Sequence, residues 1–163
     1  MKKRLVYAGA FVLGLNDALV ELTGMLAGLT LALQNTKLIA LTGLVAGIAA
    51  SLSMAASSYL SSKEDGHHGK EPGKAALYTG IAYIITVLLL VFPFFLFSVA
   101  AAAFGVSLSI AVLIIGAYCK YMSNIKKTSF WRRFGLMITI SFGVALISFF
   151  VGWVLRQVIG VGV

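Results

Sequence analysis

The sequence predicts an all-α integral membrane protein with five transmembrane helices per subunit. Apolar residues make up 60% of the 163 residues, the mean hydropathy is +1.00, and 11% of the residues are charged. This composition is typical of integral membrane proteins and argues against a soluble domain. The apolar residues also fall into five long runs, with the basic residues collected at the ends of those runs. We expect residues 1–163 to form a single membrane domain.

The five apolar runs are predicted to be helices, and the first, with 29 residues, is more than long enough to cross a bilayer. They are too long and too continuously apolar for the strands of a membrane barrel, which have about 9 to 11 residues of alternating polarity. The polar stretch 61–74 separates the second run from the third and is expected to be a loop. The predicted helices cover about residues 5–33, 38–60, 75–104, 106–121 and 130–159.

Lysine and arginine residues are distributed unevenly over the two predicted sides of the membrane. Eleven of the thirteen precede the first helix or lie in the second-to-third and fourth-to-fifth loops, and only Lys37 and Arg156 lie on the other side. Since basic loops stay in the cytoplasm, we expect a cytoplasmic N-terminus, a cytoplasmic loop 61–74 and an external C-terminus. The same placement accounts for the net charge of +8, so no nucleic-acid partner is expected.

The first apolar run carries two carboxylates, Asp17 and Glu21, near its middle. A lone ionised carboxylate at that depth costs at least about 2.5 to 3.5 kcal/mol. The two acids lie four residues apart and share one helical face, which Gly24 and Gly28 continue as helix-packing positions. No Lys or Arg lies in the interior of any apolar run, because the basic residues are at the ends of the runs and in the loops. The pattern favours a cation or proton site over the alternative, a pair of acids that only locks helix packing.

The second run has a stripe of small and hydroxyl-bearing residues, typical of close helix packing. Met54 is the one large residue on this stripe, and its thioether is a ligand for transition metals. A methionine on a helix face is nevertheless most often a core residue. The stripe consists of Gly43, Gly47, Ser51, Met54 and Ser58.

The third run contains Pro93, which removes a backbone hydrogen-bond donor and predicts a kink. Thr79, Tyr83 and Thr86 give the same run a polar side in its first half.

Four stretches of the chain together resemble the vacuolar iron transporter family. GLNDALVELTGMLAGL and LTGLVAGIAASLSMAASSYLSSKE resemble the first two helices of the family, whose plant and fungal members move ferrous iron and manganese out of the cytosol in exchange for protons. KAALYTGIAYIITVLLLVFPFFLF resembles its third helix, and RRFGLMITISFGVALISFFVGWVL resembles its last. The most specific elements are Gly-x-x-Asp in the first helix and Ser-Met-Ala with Tyr-Leu-Ser in the second.

The resemblance implies a twofold homodimer with a transport path between the two copies of the first helix. In the family, the aspartate of the first helix and the methionine of the Ser-Met motif line this path, and here they correspond to Asp17 and Met54. A family glutamate of the second helix corresponds to Ala46, so one ligand is missing and Glu21 is a candidate replacement. Plant members also carry a long Glu-rich cytoplasmic insert, whereas this chain resembles the short-loop, nodulin-like or prokaryotic members.

The short loop offers a second set of candidate metal ligands. Two adjacent histidines with neighbouring acids suit a weak site for a divalent cation, although a solvated loop is the simpler interpretation. Ser51 and Ser58 are also secondary candidates for the path. The loop candidates are Glu64, Asp65, His67 and His68, with Glu71 beside them.

Together these features predict export of Fe²⁺ or Mn²⁺, with Co²⁺ or Zn²⁺ as further candidates, by proton antiport through a path lined by Asp17, Glu21 and Met54. Burial and like charge raise the proton affinity of paired carboxylates, so metal binding would expel protons. A passive divalent-cation channel and a structural membrane protein are the alternatives. No catalytic constellation faces the membrane midplane, so neither an enzyme nor a permanently bound cofactor is expected. The expected partners are a second copy, lipid, metal ions and protons. The expected location is a prokaryotic plasma membrane, with a vacuolar membrane as the alternative.

Overall fold

The computed structural model describes residues 2–64 and 71–159, and all of the regular structure in these two ranges is helical. Five helices, counting α3 and α4 as one span, are long and apolar enough to cross a membrane, so the predicted fold class is confirmed at this level. The protein is therefore an integral membrane protein. The helices are α1 (Lys2–Leu33), α2 (Thr36–Glu64), α3 (Pro72–Val91), α4 (Pro93–Leu96), α5 (Ala100–Lys126) and α6 (Phe130–Ile159).

Helix α1 lies at the centre of the bundle and packs mainly against α6 and α3, with further contacts to α2 and α5. Its side chains Ala18, Leu19, Leu22 and Leu26 are at most 1% exposed. In contrast, α2, α5 and α6 each present large apolar side chains on the outside of the bundle, such as Leu113, which is 72% exposed. An outer surface of this kind is suited to lipid, whereas α1 and the span formed by α3 and α4 are the two most buried of the five.

Helices α1 and α2 are joined by the sharp turn that the polar sequence QNTK predicts. Gln34 has a left-handed backbone with φ 53°, which ends α1. The Asn35 side-chain oxygen then accepts hydrogen bonds of 3.1 Å from the backbone N–H groups of Lys37 and Leu38. Asn35 therefore caps α2, and the helix starts at Thr36, two residues before the predicted position 38.

The predicted boundary between the third and fourth spans is wrong. Pro93 cannot donate a backbone hydrogen bond, and α3 ends at Val91 with the single turn α4 following it. Phe97 and Val99 are extended, and α5 then begins at Ala100 instead of at 106. Gly105, the residue taken as the break, lies inside α5 with open space around it. An apolar pattern alone does not mark a break between two equally apolar helices.

Several helices also extend beyond their predicted ends into polar sequence. Helix α2 runs to Glu64 instead of 60, α3 starts at Pro72 instead of 75, and α5 runs to Lys126 instead of 121. The predicted loop 61–74 is correspondingly shorter at both ends. The physical reason is that hydropathy marks the membrane core, whereas backbone hydrogen bonding continues into water wherever the residues permit it. Proline at the first helical position supports the early start of α3.

Small residues bring α1, α2 and α3 together. Gly14 of α1 is buried, and a Cβ at this position would collide with the backbone carbonyl of Thr79 on α3. The Thr79 hydroxyl lies 3.0 Å from the Ala10 carbonyl oxygen and 3.0 Å from the Ser58 hydroxyl, so it can donate to α1 and accept from α2. One side chain therefore links all three helices.

The close approach at Gly14 predicts that Gly14→Ala destabilises the fold. Since the added methyl group would meet backbone and not a flexible side chain, we expect a loss of about 1 to 3 kcal/mol in the free energy of unfolding. Equilibrium unfolding in detergent micelles, followed by circular dichroism, measures this loss.

The matched control is Gly9→Ala, five residues earlier in the same helix, where nothing lies within 4 Å of the added Cβ. This control is expected to be neutral or slightly stabilising, because alanine favours helix over glycine. Equal effects of the two substitutions would contradict the close contact between α1 and α3.

Candidate functional site

The two carboxylates lie in the middle of the central helix. The first membrane span covers Tyr7–Leu33, which places Asp17 and Glu21 on either side of its midpoint. Asp17 is half-buried, whereas Glu21 is exposed on the surface of the single chain. Side chains four residues apart on a helix have Cβ atoms about 5 to 6 Å apart. The two carboxyl groups are thus neighbours, with Glu21 one turn further along the span.

Tyr83 of α3 holds Glu21. The Tyr83 hydroxyl donates a hydrogen bond of 2.5 Å to Glu21 Oε2, and the Tyr83 side chain is 0% exposed. The buried face of α3 also carries Thr79, which bonds to α1 and α2, and Thr86, whose hydroxyl donates to the Ala82 carbonyl oxygen at 2.8 Å. The polar side predicted for this helix therefore faces the inside of the bundle, and Tyr83 is its one member that reaches a carboxylate.

Neither carboxylate has a basic partner in the part of the chain that the structure describes. The one ion pair there joins Lys74 Nζ to Glu71 Oε1 at 2.7 Å, at the polar end of α3. Two acids at the centre of a membrane span thus adjoin each other without a Lys or Arg to neutralise them. An arrangement of this kind is typical of ion and proton pathways in membrane proteins.

Asn16 adds a third polar group beside Asp17. Its side-chain oxygen Oδ1 is buried and has no hydrogen-bond partner among the described residues. A buried acceptor without a donor costs about 1 to 3 kcal/mol. The centre of α1 therefore combines two carboxylates with an amide oxygen, three oxygen-bearing side chains within six residues of sequence.

Met54 lies on α2, partly buried and packed against the apolar core. Ala55, the next residue, lies against Gly80 of α3, whose neighbour Thr79 contacts Ala10 and Gly14 of α1. Met54 is therefore at about the level of Gly14. At about 1.5 Å per residue, this level is about 4.5 Å along the helix axis before Asp17.

The hydroxyl groups of α2 serve the contact with α3. Ser51 Oγ donates to the Gly80 carbonyl oxygen at 3.3 Å, and Ser58 lies 3.0 Å from the Thr79 hydroxyl. Both serines are 7% exposed. The other two members of the α2 stripe, Gly43 and Gly47, lie against Val91 and Val87 of α3.

Gly24 and Gly28 bring α1 against α6. A Cβ at Gly24 would lie 2.8 Å from a Val144 methyl group, and one at Gly28 would lie 2.9 Å from the Ser148 carbonyl oxygen. On the α6 side, Gly152 faces the Gly28 backbone. Gly24 and Gly28, which follow the two acids along α1, thus form a packing contact with α6 within one chain.

Most of the loop candidates lie outside the described residues, namely Asp65, His67 and His68. Glu64 ends α2 and is exposed, and Glu71 pairs with Lys74. The described residues contain no group of three or more His, Cys, Asp or Glu side chains able to hold a metal ion. A single chain, as far as it is described, thus supplies two adjacent carboxylates and not a complete ligand set.

The sequence predicts Asp17, Glu21 and Met54 as site residues, and it does not single out Tyr83 or Asn16 for the site. The polar side of α3 was visible as Thr79, Tyr83 and Thr86 at helical spacing, and this was the available signal for Tyr83. The pairing of Tyr83 with Glu21 spans 62 residues of sequence, so no local pattern contains it. Asn16 precedes Asp17 directly and its burial depends on the neighbouring helices.

Residues 8–71 match the VIT (vacuolar iron transporter) family. The match covers most of α1 and all of α2, including both carboxylates and Met54. It confirms the resemblance predicted from the sequence over this range and indicates membrane metal-ion transport. None of the curated proteins matches the chain.

The hydrogen bond between α3 and α1 predicts energetic coupling of Tyr83 and Glu21. We expect Tyr83→Phe to lower the free energy of unfolding by about 1 kcal/mol, the usual size for an interhelical hydrogen bond in a membrane protein. In a Glu21→Ala background the same substitution is expected to have almost no effect, because its partner is gone. Equilibrium unfolding in mixed micelles gives all four values.

The control for this cycle is Tyr78→Phe, which removes a hydroxyl from an exposed tyrosine five residues earlier in α3. Its effect is expected to be the same with and without Glu21. An equal cost of Tyr83→Phe in both backgrounds would show that Tyr83 acts through packing alone.

Proposed function

We propose, starting from the match of residues 8–71 to the VIT family, that the protein exports Fe²⁺ or Mn²⁺ from the cytosol by proton antiport. The path runs along the carboxylate face of α1, with Asp17, Glu21 and Met54 as its metal-contacting residues. The observation that carries this proposal is the pair of adjacent carboxylates at the centre of the central span, without a basic partner among the described residues.

The ligand types fit divalent transition metals. Carboxylate and amide oxygens bind Mn²⁺, Fe²⁺ and the harder Mg²⁺ and Ca²⁺, whereas a thioether favours the transition metals. Met54 lies about one turn nearer to the start of α1 than Asp17, so an ion entering from that side would meet sulfur first. The thioether thus biases the choice toward Fe²⁺, Mn²⁺, Co²⁺ or Zn²⁺, and the carboxylates hold the ion at the midplane.

A second copy of the chain completes the site in this proposal. Glu21 is exposed on one chain although it lies near the midpoint of a membrane span. Contact of an ionised carboxylate with lipid at that depth costs at least about 2.5 to 3.5 kcal/mol. A twofold dimer along this face removes the contact and brings together four carboxylates and two thioethers.

Proton coupling follows from the shared ligands. A metal ion and protons compete for the same carboxylate oxygens, because only the deprotonated form binds metal strongly. Binding of metal from the cytoplasmic side therefore releases protons, and protons from the other side displace the metal. Exchange of this kind needs alternate exposure of one site to the two sides of the membrane.

We expect Asp17→Asn to reduce metal flux at least about tenfold, because it removes the charge that binds the ion and exchanges the proton. Glu21→Gln is expected to act in the same direction. The measurement is uptake of Fe²⁺, Mn²⁺, Co²⁺, Zn²⁺ and Ca²⁺ into proteoliposomes, with and without a pH gradient at fixed voltage. Glu71→Gln, which neutralises an exposed acid away from the path, serves as the matched control.

The outcomes separate three functions. Flux that depends on the pH gradient and is lost in both path variants supports the antiporter. Flux that is lost in the variants but ignores the gradient identifies a passive cation channel. Undiminished flux in Asp17→Asn would show that the carboxylates do not form the transport path.

In the same assay, Met54→Leu is expected to weaken the preference for Fe²⁺ over Ca²⁺, since leucine keeps the volume and removes the sulfur.

The dimer has its own test at Leu13, which is 49% exposed and lies one turn before Asp17 on the same face. In a Cys119→Ser background, Leu13→Cys is expected to form an intermolecular disulfide in native membranes under mild oxidation. Leu113→Cys on α5, at 72% exposure, is the control and is expected to remain monomeric on non-reducing gels. Equal cross-linking at both positions would place the contact elsewhere.

A further inference from the structure

A groove separate from the carboxylate site opens between α1, α3 and α5, near the first residues of α1. Its volume is about 810 Å³, and its polar end carries Lys74 together with the tyrosines Tyr7, Tyr78, Tyr118 and Tyr121. Four tyrosines in one groove are two thirds of the six in the chain. Tyrosine is enriched where membrane hydrocarbon meets the headgroup layer, so this cluster marks the depth of the headgroups.

The groove changes from polar to apolar along its length. On α1 its wall runs from Tyr7 through Phe11 to Leu15, and on α5 from Tyr121 through Tyr118 to Ile114. Eight residues of α1 separate Tyr7 from Leu15, a distance of about 12 Å along the helix. The groove therefore has one hydroxyl-rich basic end and an apolar floor that reaches into the hydrocarbon region.

The polar end is organised by contacts within the chain. The rings of Tyr7 and Tyr78 stack with centroids 5.3 Å apart, and the Glu71 backbone N–H donates to the Tyr7 hydroxyl at 3.3 Å. Lys74 pairs with Glu71 at 2.7 Å, but both side chains are more than half exposed, at 55% and 65%. An exposed pair of this kind is weak, so the lysine is available to a stronger anion.

We propose that this groove binds an anionic phospholipid. The headgroup phosphate is recognised by the Lys74 ammonium and the tyrosine hydroxyls, and one acyl chain lies along Phe11, Leu15 and Ile114. The phosphodiester has two non-bridging oxygens, so it can accept hydrogen bonds from the lysine and from a tyrosine hydroxyl together.

The charge of this end of the molecule supports an anionic occupant over a zwitterionic one. Lys2, Lys3 and Arg4 lie five, four and three residues before Tyr7 in the sequence. Each basic residue near a membrane surface contributes about 1 kcal/mol of attraction to anionic lipid. A zwitterionic headgroup brings its own cation and gains little from this excess of positive charge.

The test is native mass spectrometry of the full chain, released from detergent in the presence of equimolar phosphatidylglycerol and phosphatidylcholine. We expect the one-lipid adduct to favour phosphatidylglycerol. Lys74→Gln should reduce that preference about fivefold, the equivalent of about 1 kcal/mol. Lys120→Gln is the matched control, because Lys120 is an exposed lysine at the same end of the molecule that does not line the groove.

A second variant is expected to strengthen the binding of the anionic lipid. Glu71→Gln removes the competing carboxylate from Lys74, and the proposal expects the preference for phosphatidylglycerol to rise, whereas a lysine with a purely structural role predicts no change. Circular dichroism of each variant checks the helical content.

Three results with lipid would overturn the proposal. The first is equal adducts with the two lipids, and the second is an equal loss of preference in Lys74→Gln and Lys120→Gln. The third is an unchanged preference in Glu71→Gln.

A fourth result would identify a different occupant of the groove. Ala117 lines the groove, and disulfide formation between two copies of Ala117→Cys in a Cys119→Ser background would show that protein and not lipid fills it.

Discussion

The constraint on which this structure depends is the placement of two carboxylates at the centre of a membrane span. Water is not available in lipid to solvate them, so the helix that carries them must be enclosed by protein. Helix α1 meets part of this requirement by packing mainly against α6 and α3, and also against α2 and α5, while Glu21 stays exposed on the single chain. The remaining helices are arranged around α1, and their outer faces carry the large apolar side chains.

Small residues and hydroxyl groups bring the neighbouring helices close to α1, beside its buried leucines. Between helices in lipid there is no hydrophobic driving force, so close backbone approach and interhelical hydrogen bonds provide the association. Gly14 admits α3, Gly24 and Gly28 admit α6, and Thr79 bonds to both α1 and α2. The positions that bring the helices closest lie on both sides of the carboxylates in sequence, so the acids occupy a tightly held segment.

The helical class, the five spans and the two central acids could be predicted from the sequence, because hydropathy and charge are local properties. The division of the apolar stretch 75–121 could not, since Pro93 and the non-helical residues 97–99 interrupt it within an apolar stretch. The contact of Tyr83 with Glu21 was likewise hidden, because it depends on how α3 is rotated against α1. The small residues of α2 could be assigned to one face of the helix from their spacing. That this face packs against α3 could not be predicted from the sequence.

The hydrogen bond from Tyr83 also divides the roles of the two carboxylates in the proposed transport site. Tyr83 donates to Glu21 Oε2, so that oxygen is held by α3 while Oε1 remains available to a cation. Asp17 has no basic partner among the described residues. Glu21 is therefore suited to bind a metal ion through one oxygen while it stays fixed to α3. Asp17 is suited to gain and lose both the ion and the proton. Two acids one turn apart thus differ in their hydrogen-bond partners, and this difference comes from a tyrosine 62 residues away in the sequence.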